Sequence, residues 1–206
     1  MSEESASPKK IDYYFSPMSP WSYLGHDRLG IIARKHRATI DLKPVDFAQI
    51  FPATGGVPVA KRAQQRQDYR LVELARWRKE TRVQLTIEPK FFPYDASVAS
   101  LLITAAQIDL GETLAMLIAS AIFKGCWVEE RDMGDAEELY SIVKSQGLDA
   151  AGLVSTAGAD DTRARYQAMT EEALARGVFG APTYIYNDEL FWGQDRLDFL
   201  DRALAD

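Results

Sequence analysis

The sequence predicts an α/β fold in which a sheet is assembled from the two ends of the chain around a large all-helical insertion. Three observations predict it. Residues 11–45 alternate strand, helix, strand; residues 181–205 read strand, turn, strand, helix; and from about 48 to 177 helical periodicity runs nearly without interruption.

The first strand, Ile11-Asp12-Tyr13-Tyr14-Phe15, is short, aromatic and bounded by Pro8 and Pro17. A helix from Pro20 to about Arg37 follows, with Leu24, Leu29, Ile31, Ile32 and Ala33 at roughly helical intervals. Its start is well signalled: Ser19 suits the N-cap, and Pro20 the first helical position, where a missing N–H costs nothing. Thr39 to Val45 alternates as a second strand, and the βαβ unit so formed should be parallel and right-handed. Residues 53–58 form a loop. Lys61–Arg82 is predicted as a helix with Tyr69, Val72, Ala75 and Leu71 inward, and residues 84–89 as a short extended piece. Further helices are expected over 95–108, 111–123, 135–145, 149–156 and 159–176. Ala181–Tyr186 and Glu189–Trp192 pair as a hairpin across Asn187-Asp188, and Arg196–Ala205 closes the chain. The expected division is 10–47 with 178–206 as one domain and 48–177 as an inserted helical one.

Composition narrows the function. At 206 residues, 47% hydrophobic and 26% charged, the chain is of ordinary globular make-up. A net charge of −6 argues against a nucleic-acid surface. The longest apolar stretch, Leu114 to Phe123, is too short to span a membrane, and the polar first ten residues read as a loose tail without a signal peptide. The single cysteine, Cys126, excludes an internal disulfide and a C-x-x-C pair; it reads as buried filler and suits a cytoplasmic, reducing setting.

A helix N-terminus favours an anion beside it, and Ser19 would hold a hydroxyl at that spot. Taken alone, Ser-Pro before a helix is punctuation, and Ser16-Pro17 offers a second such pair. The spacing says more: Ser19-Pro20-Trp21-Ser22 resembles the C-P-x-C motif of DsbA-type thioredoxin-like proteins with both cysteines replaced by serine. Ser19-Pro20-Trp21-Ser22-Tyr23-Leu24-Gly25 is similar to the signature of kappa-class glutathione transferases and 2-hydroxychromene-2-carboxylate isomerases; only the Ser19 register keeps that continuation. The resemblance implies a thioredoxin-like fold with a large all-helical insertion (DsbA/kappa-type), glutathione as cofactor, and contact between Ser19 and the glutathione thiol.

The same resemblance assigns further roles. Pro182, which opens a strand in Gly180-Ala181-Pro182-Thr183, is implied to be cis, with Ala181 pairing its backbone with the cysteinyl part of glutathione. Phe191-Trp192-Gly193-Gln194-Asp195-Arg196 resembles the segment that holds the γ-glutamyl end, so Gln194 and Asp195 are implied ligands; Asp195 equally suits a helix cap. Lys61 falls where kappa-class proteins set a lysine against the glycyl end. The loop before it, Thr54-Gly55-Gly56, departs from the family in lacking its asparagine. Residues 60–82 carry eight Lys/Arg against three acids, a local +5 that leaves −11 on the rest of the chain; such charges solvate a helix and would also assist a ligand with two carboxylates and a thiolate.

Other chemistries lack their residues. His26 is four residues from Ser22 on one helix, but no G-x-S-x-G elbow exists, and His26 is expected at a surface or interface. No H-E-x-x-H, G-x-G-x-x-G or P-loop occurs, so no metal or nucleotide is expected. Tyr14–Gly25 with Lys90-Phe91-Phe92-Pro93 is closer in spelling to the bacterial isomerases, which implies a glutathione-dependent isomerase of an aromatic carboxylate, acting as a homodimer. The alternatives are a kappa-type transferase and a non-catalytic, DsbA-like peptide-binding module.

Overall fold

The structure is a computed structural model and describes residues 8–205; most of the predicted N-terminal tail lies outside them. β1 (Lys10–Phe15), α1 (Pro20–His36) and β2 (Thr39–Pro44) lead into six helices: α2 (Phe47–Thr54), α3 (Gln64–Thr81), α4 (Ser97–Leu110), α5 (Glu112–Trp127), α6 (Ala136–Ser145) and α7 (Ala150–Ala157). α8 (Asp160–Ala175) then precedes β3 (Thr183–Tyr186), β4 (Glu189–Trp192) and α9 (Leu197–Ala203). The sheet runs β2-β1-β3-β4, with β1 parallel to β2 and the other pairs antiparallel. This is a thioredoxin-like fold with a helical insertion.

β1 is central and covered on both faces, and its side chains alternate between two cores. Ile11, Tyr13 and Phe15 join Leu24 of α1, Phe123 of α5 and Leu200 of α9. Tyr14 points the other way, toward Ile50 of α2 and Met169 and Ala173 of α8. Tyr13 stacks on Phe15 at 4.7 Å and on Tyr184 at 5.3 Å, so an aromatic column ties β1 to β3. The Tyr14 hydroxyl donates to Glu172 at 2.7 Å, and Lys43 reaches the same carboxylate at 2.7 Å, which satisfies the polar ends of the second core.

Two expectations are corrected. On α3 the fully buried residue is Leu74, while Tyr69 and Val72 are 58% and 44% exposed and Ala75 is also exposed. At 3.6 residues per turn, Tyr69 and Val72 sit roughly 140° and 160° around the helix from Leu74. The inward stripe is partly made of Arg70 and Trp77, and the first of these escapes a count of apolar residues. His26, expected at a surface or interface, is 2% exposed, inside the core between α1 and α5. α5 lies across α1, so Nε2 of His26 meets the Met116 carbonyl at 3.0 Å and its ring meets Phe123 edge-on at 5.2 Å. Burial holds its pKa below the ordinary 6.5, against the opposing pull of Met116 and Asp27.

Candidate active site

The site begins at the N-terminus of α1. Ser16 makes the turn into it: its Oγ accepts from the Met18 N–H and its carbonyl from the Ser19 N–H. Ser19 is the N-cap, in extended conformation, and its Oγ accepts from the Ser22 N–H at 3.2 Å. That bond uses a lone pair of the hydroxyl and leaves its proton available to a ligand. Ser22, the other serine of the motif, is fully buried, with Oγ lacking a partner among the described residues. It does not face solvent.

β3 starts beside this helix end. Tyr14 pairs with Thr183 in antiparallel register, so the loop after β1 and the residues before Thr183 leave the sheet at the same end. The Ala181–Pro182 bond is cis, and the Pro182 carbonyl accepts from the Gly193 N–H at 2.8 Å. Gly180 is needed for close approach, since a Cβ there would stand 2.3 Å from the Trp192 indole nitrogen. Trp192, half exposed, is held by that contact and by Phe179 at 4.6 Å.

Gln194 and Asp195 follow in a short 3-10 turn, Gln194–Arg196. Gln194 is only 2% exposed, and its Oε1 accepts from Arg28 of α1 at 2.7 Å. Asp195 makes no capping bond and pairs with Arg196 at 2.9 Å. Gly193 takes φ +103°, and a Cβ there would meet the Asp195 carboxylate at 2.4 Å. Gly25 serves the same turn from the other side: a Cβ there would lie 2.6 Å from the Tyr184 hydroxyl and 2.9 Å from Gln194 Cβ. The final glycine of the Ser19–Gly25 string is therefore a docking surface for the 194–196 turn.

These elements form one side of a cleft of about 740 Å³. Ala181, Gln194 and Asp195 line it, together with Trp21 from the first turn of α1. Ser19 and Pro182 are not in the lining; Trp21, two residues after Ser19, and Ala181, the residue before Pro182, are. Lys61, exposed at the end of a 3-10 turn (Val59–Lys61), is not in the lining either; its neighbour Arg62 is. The other wall is α3, which packs on α1 and contributes Arg66, Arg70 and Trp77. Three of the four tryptophans of the chain, Trp21, Trp77 and Trp192, thus meet at one cleft. Arg28, Trp77 and Arg70 belong to no motif in the sequence, although Arg66 and Arg70 stand four residues apart on one face of α3.

Elsewhere the chemistry is sparse. Cys126 is buried and its thiol is pushed up to about 12 by burial and Asp132, which makes it inert. Among the described residues, no group of three or more His, Cys, Asp or Glu could hold a metal ion, and no helix is long and apolar enough to cross a membrane.

A capped helix N-terminus, a neighbouring cis-proline strand and inserted helices define a DsbA-like thioredoxin protein, and the profile of the DSBA-like thioredoxin domain matches residues 10–205. The chain is 32% identical over 199 residues to a 2-hydroxychromene-2-carboxylate isomerase of Sphingobium xenophagum, covering 96% of this chain and 99% of that one. A solved structure of 2-hydroxychromene-2-carboxylate isomerase superposes with TM-score 0.83 at 29% identity, covering 95% of this chain and 94% of that one. Rat glutathione S-transferase kappa 1 is 20% identical, over 97% of this chain and 92% of its own length. The chain belongs to the 2-hydroxychromene-2-carboxylate isomerase family of DsbA-like thioredoxin proteins.

Proposed function

We propose that this protein is a glutathione-dependent isomerase that interconverts 2-hydroxychromene-2-carboxylate, or a related aromatic acid, with its open-chain unsaturated aryl pyruvate. The observation that carries the reading is a serine where redox relatives need cysteine, capping α1 through an acceptor lone pair only. Such a helix start suits a borrowed thiol.

The donor set fits glutathione. Ser19 has a proton to give a thiolate, Ala181 precedes the cis bond with backbone groups for pairing, and Gln194 and Asp195 stand at the far end for an α-ammonium. Lys61, Arg62 and Arg66 supply positive charge for two carboxylates. Bound glutathione would supply a thiol whose reversible addition to a conjugated double bond allows rotation about that bond.

The work of the chain's own residues is electrostatic. A free thiol titrates near pH 8.5, and lowering it by one to two units takes about 1.4–2.8 kcal/mol. The helix N-terminus contributes about 0.3–2 kcal/mol and a hydroxyl hydrogen bond to an anion about 1.5–3 kcal/mol, so the two together suffice. Trp21, Trp77 and Trp192 give the cleft apolar walls for an aromatic ring.

We place the site between the thioredoxin-like part (10–47 and 178–206) and the inserted helices (48–177). The protein would act in the cytoplasm, where glutathione is reduced, and as a homodimer. The test is a glutathione titration beside an absorbance assay of chromene-acid isomerisation with and without glutathione. Binding and glutathione-dependent turnover are expected; no binding, or turnover indifferent to glutathione, would refute the reading. The rat kappa relative favours a second reading, a transferase, which conjugation of a model aryl halide at a rate exceeding isomerisation would establish.

A further inference from the structure

The positive side chains of the cleft differ in what they already hold. Arg196 is paired with Asp195, and Arg62 donates Nε to the Val57 carbonyl at 2.7 Å. Glu73, the other acid of the lining, is bound to Arg76. Neither Arg66 nor Arg70 has an ion pair among the described residues, but Arg66 is exposed, whereas Nη2 of Arg70 is buried without a hydrogen-bond partner. Its guanidinium lies over the Phe92 ring, 4.9 Å from the centroid, so it is anchored by stacking rather than by an anion. Burial and the nearby Arg62 pull its pKa down to about 10, against Glu88, so an anion arriving there would relieve an existing strain on the charge. Trp77, two turns further along the same helix, lines the same cleft.

A planar guanidinium with open donors takes a carboxylate in a two-point grip, and an indole beside it takes an aromatic ring. The tripeptide reading already supplies partners for glutathione on the opposite wall, at Ala181, Gln194 and Asp195. We propose that Arg70 is the carboxylate anchor for a second ligand, an aromatic acid whose ring packs on Trp77, and that it sets a preference for acids over neutral analogues. This rests on the isomerase reading in taking that acid as the substrate beside the thiol.

The test titrates the full-length protein with trans-cinnamate and with the neutral trans-cinnamamide, by calorimetry, with and without saturating S-methylglutathione. The wild type should bind the acid at least tenfold more tightly than the amide. Arg70→Met should bring the two ligands within about twofold of each other, and Arg70→Lys should keep part of the preference, with glutathione affinity unchanged in both. Equal binding of acid and amide by the wild type would overturn the proposal. So would a preference surviving in Arg70→Met, or loss of glutathione affinity in place of cinnamate affinity, which would give Arg70 to the tripeptide. A thermal melt checks folding; if Arg70→Met unfolds, the wild-type comparison and Arg70→Lys decide. Failure of glutathione to bind in the parallel titration would sink the isomerase reading alone; an acid preference lost in Arg70→Met would still support the anchor.

Discussion

Replacing Ser19 separates the cap its hydroxyl makes from the thiolate contact proposed for it. In the folded chain its Oγ caps α1 through the Ser22 N–H at 3.2 Å, and loss of such a cap costs about 1 kcal/mol, within a range of 0.5–2. The proposed contact, donation to a bound thiolate, is worth about 1.5–3 kcal/mol, or roughly one to two units of thiol pKa and a 10- to 150-fold change in rate. Ser19→Ala removes both. Ser19→Asn keeps the cap, since asparagine caps as well as serine, and removes the hydroxyl. Denaturant melts should therefore show Ser19→Ala destabilised by about 1 kcal/mol and Ser19→Asn near wild type. The ultraviolet thiolate absorbance of bound glutathione, titrated with pH, should shift upward in Ser19→Ala and less in Ser19→Asn, whose amide N–H can donate in the hydroxyl's place. If Ser19→Ala loses stability but leaves the bound thiol's titration and the turnover unchanged, the serine is a cap and nothing more.

Gly25→Ala puts a methyl 2.6 Å from the Tyr184 hydroxyl and 2.9 Å from Gln194 Cβ. Overpacking of about 1–3 kcal/mol should outweigh the helical gain of alanine, and glutathione affinity should fall as the 194–196 turn is displaced; calorimetry and melts check both. Ser22→Ala should leave stability unchanged or raise it by about 1 kcal/mol, because the buried Oγ has no partner to lose. A marked loss would show a bond that the folded chain makes there after all. His26 is held neutral by burial, with its folded pKa below the unfolded 6.5. Between those two values the unfolded chain binds more protons, so stability should fall as pH drops below about 6.5. His26→Gln should flatten that slope in melts run across the window.

Much of the plan was legible because local chemistry and tertiary need agree at the two ends of the chain. β1 is aromatic and ends at proline; Ser19-Pro20 caps a helix as its residue types dictate; Asp135 and Asp149 cap α6 and α7 at the predicted starts. The cis bond at Pro182 came through resemblance, since proline at a strand start is uninformative alone. What escaped was decided by packing between distant segments. His26 looks polar and exterior until α5 covers it and an aromatic cluster takes its ring. On α3, apolar Val72 is exposed, and Tyr69, also exposed, lines the cleft with Arg70 and Trp77, because one side of that helix borders an open cleft rather than a core. Gly25 matters through Gln194, 169 positions later in sequence, and no local pattern announces that approach.

A crystal structure of the glutathione complex tests the proposed placement of the thiol most directly. It should show the sulfur within hydrogen-bond reach of the Ser19 hydroxyl, with the peptide laid along Ala181 and its ammonium toward Asp195. A tripeptide bound elsewhere, or one whose sulfur points away from the start of α1, would contradict it.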